Sequence, residues 1–306
     1  MVIFLDEIDF KILKILDKNC RIPNSKIATE LNLSNRTVAS RISHLLQKKI
    51  IECFSIEINT NNMGYRHFIG RLKRIVDKNV NLNLFSTKFK EIPEIYRFWE
   101  QLDGSFTFSF YSKSPENLEQ ILEKIQNMGM DVINYNETRI HLSSEIPLSK
   151  LDWEIIAYLY YNSRVPQKEI SLNLKVSEKT ILRRLNRLKT MKLIQFVPVI
   201  NFERISGYVS GVISIVPHIN SKKLYLKLKN SENIKYWRNT GSVSPSIVLF
   251  TYGKNLTEIY NMYSVIKNHP EVKKCSLTFI VNNWENSKII YKEIKKKIQE
   301  FDSIKK

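Results

Sequence analysis

At 306 residues the chain has room for two or more domains with real cores, since single domains usually run about 100 to 200 residues. Its 48 Lys and Arg against 30 Asp and Glu give a formal charge of +18, which favours a polyanionic partner such as nucleic acid, although a basic protein that is merely soluble stays open. Cys20, Cys53 and Cys275 are scattered without CxxC or His-containing ligand spacing, and the longest apolar stretch, near 209–216, falls far short of the ~20 residues a membrane span needs. A reduced, cytoplasmic chain without a metal or organic cofactor is therefore expected.

The first predicted helix starts at Asp6-Glu7, with Ile8, Ile12, Ile15 and Leu16 at helical spacing and Asp6 and Asp9 placed as a capping pair. A turn with Pro23 leads into a short helix, 24–31, closed by Leu31-Asn32-Leu33-Ser34. Asn32 suits a position with φ > 0. Ser34 is placed to cap a third helix, NRTVASRISHLLQKK, whose buried stripe is Val38, Ile42 and Leu45 and whose opposite face is polar and basic. The following IIECFSIEIN is rich in β-branched and aromatic residues, as a short two-stranded wing would be.

The same text then recurs. Leu5 to Tyr65 lies over Leu148 to Tyr208 without a gap at an offset of 143 residues, with identities at Asp9/Asp152, Asn19/Asn162, Arg21/Arg164, Pro23/Pro166, Ser34/Ser177, Thr37/Thr180, Arg41/Arg184 and Gly64/Gly207 among others. A repeat this long is a duplicated domain, because solenoid periods run only about 20 to 50 residues. In the second copy Ser149 and Asp152 form the capping pair, Ser177 caps the third helix, Ile181, Leu185 and Leu188 form its stripe, and LIQFVPVIN takes the place of the wing. Lys175 replaces Asn32, so a left-handed turn there costs roughly 1–2 kcal/mol.

The stretch LDEIDFKILKILDKNCRIPNSKIATELNLSNRTVASRISHLLQKKII resembles the DNA-binding domain of the Lrp/AsnC feast/famine regulators, and LSKLDWEIIAYLYYNSRVPQKEISLNLKVSEKTILRRLNRLKTMKLI resembles it too. The likeness rests on the leucine-aspartate helix start, the Leu-x-[Leu/Val]-Ser turn and the Arg-[Ile/Leu] helix followed by [Ile/Leu]-Ile. After each copy, Gly64-Tyr65 and Gly207-Tyr208 open a βαββαβ pattern. In the first half its elements are near 66–76, 80–90, 95–101, 106–111, 115–128 and 131–142. This order resembles the ferredoxin-like effector and assembly domain, RAM, of that family. The resemblance implies an α+β chain with a winged helix-turn-helix at 1–62, a RAM-like domain at 63–145, a second winged helix-turn-helix at 146–205 and a second RAM-like domain at 206–285. A joint near 143–149 contains Pro147, and a basic C-terminal helix follows at 286–306, with Ile290, Ile294 and Ile298 beside Lys292, Lys295, Lys296 and Lys297. For that tail a surface helix with one packed face is preferred over a dedicated DNA contact.

By the resemblance, double-stranded DNA is the partner, RAM edges make a homodimer, and a small-molecule effector would bind near a Gly-x-Tyr-Asp-like motif. Here the glycines Gly104 and Gly241 continue as Ser105-Phe106-Thr107 and Ser242-Val243-Ser244 without the acidic residue, so an amino-acid effector is not expected and the RAM-like units are read as serving assembly. A recognition helix reads the major groove with its N-terminal residues and outward face. The candidates are Asn35, Arg36, Thr37, Ser40, Arg41 and His44 in the first copy, and Lys179, Thr180, Arg183, Arg184 and Arg187 in the second. Lys179, Arg183 and Arg187 form an i, i+4, i+8 line. For Arg41 and Arg184, an anchor to a carboxylate and a DNA contact are equally supported. Asp9 and Asp152 read as helix-start residues rather than catalysts, and Lys48 and Lys49 as backbone contacts.

Two other functions fit the length. Siroheme decarboxylases also resemble Lrp/AsnC proteins, but typically carry an arginine-rich wing and a Pro-Leu-Val-x-Arg-Pro-like segment. The corresponding stretches here are Ile51-Glu52-Cys53-Phe54, and Arg21-Ile22-Pro23-Asn24-Ser25 with Arg164-Val165-Pro166-Gln167-Lys168. A nucleoid-coating protein of low specificity is the third reading, permitted by the +18 charge.

Overall fold

Each predicted capping pair starts a helix. Asp6 and Asp9 form a reciprocal capping box at α1 (Glu7–Lys18), and Ser149 and Asp152 repeat it at the equivalent helix of the second copy. The computed structural model describes residues 5–74, 87–137, 146–201, 204, 205, 207–229, 231, 234–239, 246–286 and 288–303. Two units divide the chain: unit 1 takes Met1–Asn59, Leu148–Ser276 and Ile294–Lys306, and unit 2 takes Thr60–Pro147 and Leu277–Glu293.

In unit 1 the first head runs α1, α2 (Asn24–Leu31) and α3 (Asn35–Gln47), closed over Phe10, Ile12, Leu16, Ile27, Val38, Ile42 and Leu45, all buried. The second head runs α5 (Lys150–Tyr161), α6 (Gln167–Leu174) and α7 (Glu178–Thr190) over the matching Trp153, Ile155, Leu159, Ile170, Ile181, Leu185 and Leu188. Asn32 and Lys175 end α2 and α6 with φ of 54° each, the left-handed conformation expected of them. Lys49 and Lys192, just past α3 and α7, share it (φ 58° and 53°).

The expected wings take a different form. Ile51–Ile58 (β1) and Ile194–Ile200 (β6) are single strands, and they pair antiparallel with each other rather than each folding into its own hairpin. The reason is local: β1 has eight residues with no Gly, Pro or Asn-Gly to turn on, so its backbone groups need a partner from elsewhere. The pairing is self-complementary under the repeat. Phe54 lies opposite Pro198 and Ser55 opposite Val197, and these two pairs are images of one another at the 143-residue offset, as in the isologous interface of a symmetric dimer. Cys20 and Ser163, also repeat equivalents, meet with Sγ and Oγ 3.0 Å apart. Burial pushes the Cys20 thiol up to about 11. Around them Arg21 donates from Nη1 to the carbonyls of Ser163 and Val165, and Arg164 donates from Nη2 to the Ile22 carbonyl and Asn24 Oδ1. The heads are thus stitched reciprocally.

Unit 2 holds β2 (Arg66–Arg74), β3 (Ile95–Gln101), β4 (Phe106–Ser112), α4 (Pro115–Asn127) and β5 (Met130–Glu137), with strand order β5-β2-β4-β3. Period-two alternation puts Phe106, Phe108 and Phe110 of β4 on one face, against Phe68 and Leu72 of β2 and Ile121 and Ile125 of α4. Residues 87–90 are helical; the rest of the helix expected from residue 80, the strand beyond residue 137 and the start of the joint lie outside the described residues. In unit 1, β7 (Val209–Pro217), α8 (Ser221–Lys229), β8 (Tyr236–Asn239), β9 (Ile247–Gly253), α9 (Leu256–Lys267) and the start of β10 (Val272–Glu285), whose residues from Leu277 belong to unit 2, repeat the βαββαβ order. Their sheet runs β7-β9-β8. The first head packs on this second RAM-like domain: Phe10 stacks on Tyr252 at 3.9 Å between centroids and meets Tyr208 edge-on, and Lys235 pairs with Glu7 at 2.8 Å.

α10 (Lys288–Ser303) is the tail helix, with Ile290 and Ile294 buried and Lys292, Lys295 and Lys296 exposed, the one-sided packing expected of it. Among the described residues no helix is long and apolar enough to cross a membrane.

Candidate nucleic-acid interface

The third helix of each head begins on a serine. Ser34 Oγ accepts from the Thr37 backbone N–H at 2.9 Å, and Ser177 Oγ from that of Thr180 at 3.1 Å. The Thr37 and Thr180 hydroxyls are tied to the same serines, at 2.7 and 2.9 Å, which makes both threonines parts of the cap. With one helix face buried, the remaining candidates divide by what they touch. Asn35, Arg36, Ser40 and His44 on α3, and Lys179 and Arg183 on α7, are exposed.

Arg41, Arg184 and Arg187 are half-buried and turned back onto the first helix of their own head. Arg41 Nη1 lies 2.8 Å from Asp6 Oδ2 and 2.9 Å from Asp9 Oδ1. Partial burial alone would raise the Asp6 pKa, but the Asp9 backbone N–H and Arg41 outweigh it and hold the carboxyl below its usual range. In the second head Arg184 and Arg187 both reach Asp152 Oδ2, each at 3.1 Å, and the Asp152 side chain is fully buried. The carboxylate partners that Arg41 and Arg184 share are therefore the repeat-equivalent capping aspartates Asp9 and Asp152, with Asp6 a further partner of Arg41. Sequence reasoning named those aspartates as caps and did not connect them to the arginines, although all four positions are identical between copies. It also set Arg187 in an outward line with Lys179 and Arg183; the structure turns Arg187 inward.

Elsewhere, the glycine turn of unit 2 carries an acidic residue before Gly104 rather than after it. Asp103 accepts from the Ser105 N–H and Oγ at 3.0 and 2.6 Å and from Arg71 at 3.2 Å. Gly241 and its neighbours lie outside the described residues. Among the described residues no three His, Cys, Asp or Glu side chains come together to hold a metal ion.

The family model for a winged helix-turn-helix that binds DNA matches residues 5–52 and again 148–195, the two heads. The HTH-type transcriptional regulator Ptr1 of Methanocaldococcus jannaschii is 34% identical over 96 residues, 31% of this chain and 64% of that protein. Bacillus subtilis LrpB, also named an HTH-type transcriptional regulator, is 26% identical over 141 residues, 45% of this chain and 88% of LrpB. Both heads are thus similar to the DNA-binding winged helix-turn-helix of HTH-type transcriptional regulators. Of Ptr1 itself the chain spans less than two thirds. Within solved structures, the siroheme decarboxylase NirDL aligns with 96% of this chain and 99% of its own at a TM-score of 0.54 and 17% identity. At that identity the likeness is one of fold alone.

Proposed function

We propose that this tandem Lrp/AsnC chain is a transcriptional regulator that binds double-stranded DNA sequence-specifically, with two non-identical recognition helices per chain. The observation that carries the reading is the pair of serine-capped third helices, each presenting exposed basic and polar side chains, in heads locked to one another by β1 and β6. In this reading Arg36 and Arg183 contact guanine and Asn35 adenine, the pairings that suit those side chains, while Lys48, Lys179 and Lys189 neutralise phosphate. The chain acts in the cytoplasm, without a catalytic role, and the RAM-like domains serve assembly into homodimers.

Selection of bound sequences from a random DNA pool tests this directly. A defined motif is expected, with affinity falling steeply with salt at a slope of about −0.9 per phosphate contact. No enrichment, or a flat salt response, would remove the regulator reading; enrichment without a motif would favour a coating protein. NirDL's shared fold keeps a decarboxylase as the second reading. For that reading, an absorption spectrum of the purified chain incubated with siroheme would show a shifted, stoichiometric band; an unchanged spectrum is expected.

A further inference from the structure

The positive charge is divided very unequally between the two halves. Residues 1–147 hold 20 Lys and Arg against 18 Asp and Glu, while residues 148–306 hold 28 against 12. Around the recognition helix, Asp6 against Ser149, Glu7 against Lys150, Ser40 against Arg183 and His44 against Arg187 make the second head the more basic, and Asn35 against Glu178 offsets one of these exchanges. The first two exchanges sit at the start of the helix that each capping aspartate begins. In the first head one guanidinium, Arg41, faces two carboxylates; in the second, one carboxylate, Asp152, faces two guanidiniums. The neighbouring charges are themselves partnered, Glu7 by Lys235 and Lys150 by Glu154 and Asp302, so the inverted sign rests on the arginine clusters.

We propose that the second head is the electrostatic anchor of the chain on DNA, and that Asp6 is a specificity-determining residue which lowers the first head's hold on the phosphate backbone, so that this head engages only where its bases match. The inference rests on the DNA-binding reading above and deepens it. Phosphate neutralisation supplies affinity that is blind to sequence, whereas base contacts discriminate. A head whose arginine is satisfied by two aspartates has little of the first and depends on the second. The two heads of one rigid pair then divide the work: one holds, the other checks.

Reciprocal exchange of the capping residues tests this, because serine and aspartate are both good N-caps and each already occupies the position in one copy. Full-length wild type, Asp6→Ser and Ser149→Asp would be titrated by fluorescence anisotropy onto a selected duplex and a scrambled one, from 50 to 200 mM salt. Asp6→Ser is expected to tighten scrambled DNA by about threefold or more and to shrink the selected-to-scrambled ratio; Ser149→Asp is expected to weaken both duplexes by a similar factor. Arg183→Ala should weaken scrambled DNA more than Arg36→Ala does, a comparison that stands even if a cap variant folds poorly. Unchanged binding of scrambled DNA by Asp6→Ser, or equal losses of scrambled-DNA affinity from Arg36→Ala and Arg183→Ala, would overturn the division of labour while leaving the regulator intact. Failure of the wild type to bind either duplex would instead remove the DNA-binding reading and this inference with it.

Discussion

Asn32 and Lys175 occupy the same turn with the same backbone, φ 54°, but only asparagine adopts that conformation at low cost. Lys175→Asn should therefore raise the unfolding free energy by about 0.5–1 kcal/mol, and Asn32→Lys should lower it by a similar amount, measured by urea denaturation. His67 offers a second test at this scale. Its Nε2 lies 2.6 Å from the Tyr96 hydroxyl, and Tyr111 stands close to both rings. Burial, and then the positive charge of Arg97, push the imidazole pKa down to about 3. Because the unfolded value is about 6.5, the unfolded chain takes up a proton that the folded chain refuses. The resulting stability is complete above about pH 6.5 and is lost as pH falls toward 3. By pH 5 the unit holding His67 should have lost about 2 kcal/mol, and His67→Gln should remove most of the slope between pH 7 and 5, a window in which carboxylates hardly titrate. A variant with the wild-type slope would mean that the ring is not held neutral.

Elements were more legible than their pairing. Helix starts announced themselves because Asp6, Ser34, Ser149 and Ser177 are residues whose side-chain oxygens complete a first turn, and all four do so. The alternating Phe106, Phe108 and Phe110 likewise carried the sheet face that they form. What the strands of the heads pair with was not written locally. Ile51–Ile58 reads as a strand whatever lies beside it, and its partner is 143 residues away in the other copy. The same holds for the arginines of the site, whose identity between copies was visible but whose direction depends on where α1 and α5 place Asp9 and Asp152. Reciprocity is the signal that would have found the pairing: Arg21 and Arg164, identical in both copies and outside the recognition helices, serve to join the heads. Arg21→Ala leaves the Ser163 and Val165 carbonyls without their charged donor and should destabilise unit 1 by roughly 2–3 kcal/mol. It should also relax the spacing that the two heads demand between their target sequences, read as broader spacing in a selection experiment. A melting curve and spacing profile equal to wild type would deny Arg21 that role.

At the scale of the whole molecule, duplication within one chain changes what the DNA target must look like. A symmetric dimer presents two identical recognition helices, so its target is palindromic, with half-sites about one helical turn of 10–10.5 base pairs, or a multiple, apart. Here the strand pairing of β1 and β6 keeps the two-fold relation between the heads, while the exposed faces have diverged to Arg36, Ser40 and His44 in one and Lys179 and Arg183 in the other. Backbone symmetry therefore sets the spacing and side-chain asymmetry sets the letters. The expected outcome of a selection experiment is two unlike half-sites at a fixed helical spacing, with Arg36→Ala erasing preference in one half and Arg183→Ala erasing it in the other, each at a cost of about 1–3 kcal/mol where the arginine grips a guanine with both nitrogens. Homodimerisation would restore a palindrome only at the level of four heads, and the motif would then double rather than become symmetric within one chain's footprint. Short perfect palindromes whose halves depend equally on Arg183 and are indifferent to Arg36 would show that the two heads have not divided their reading.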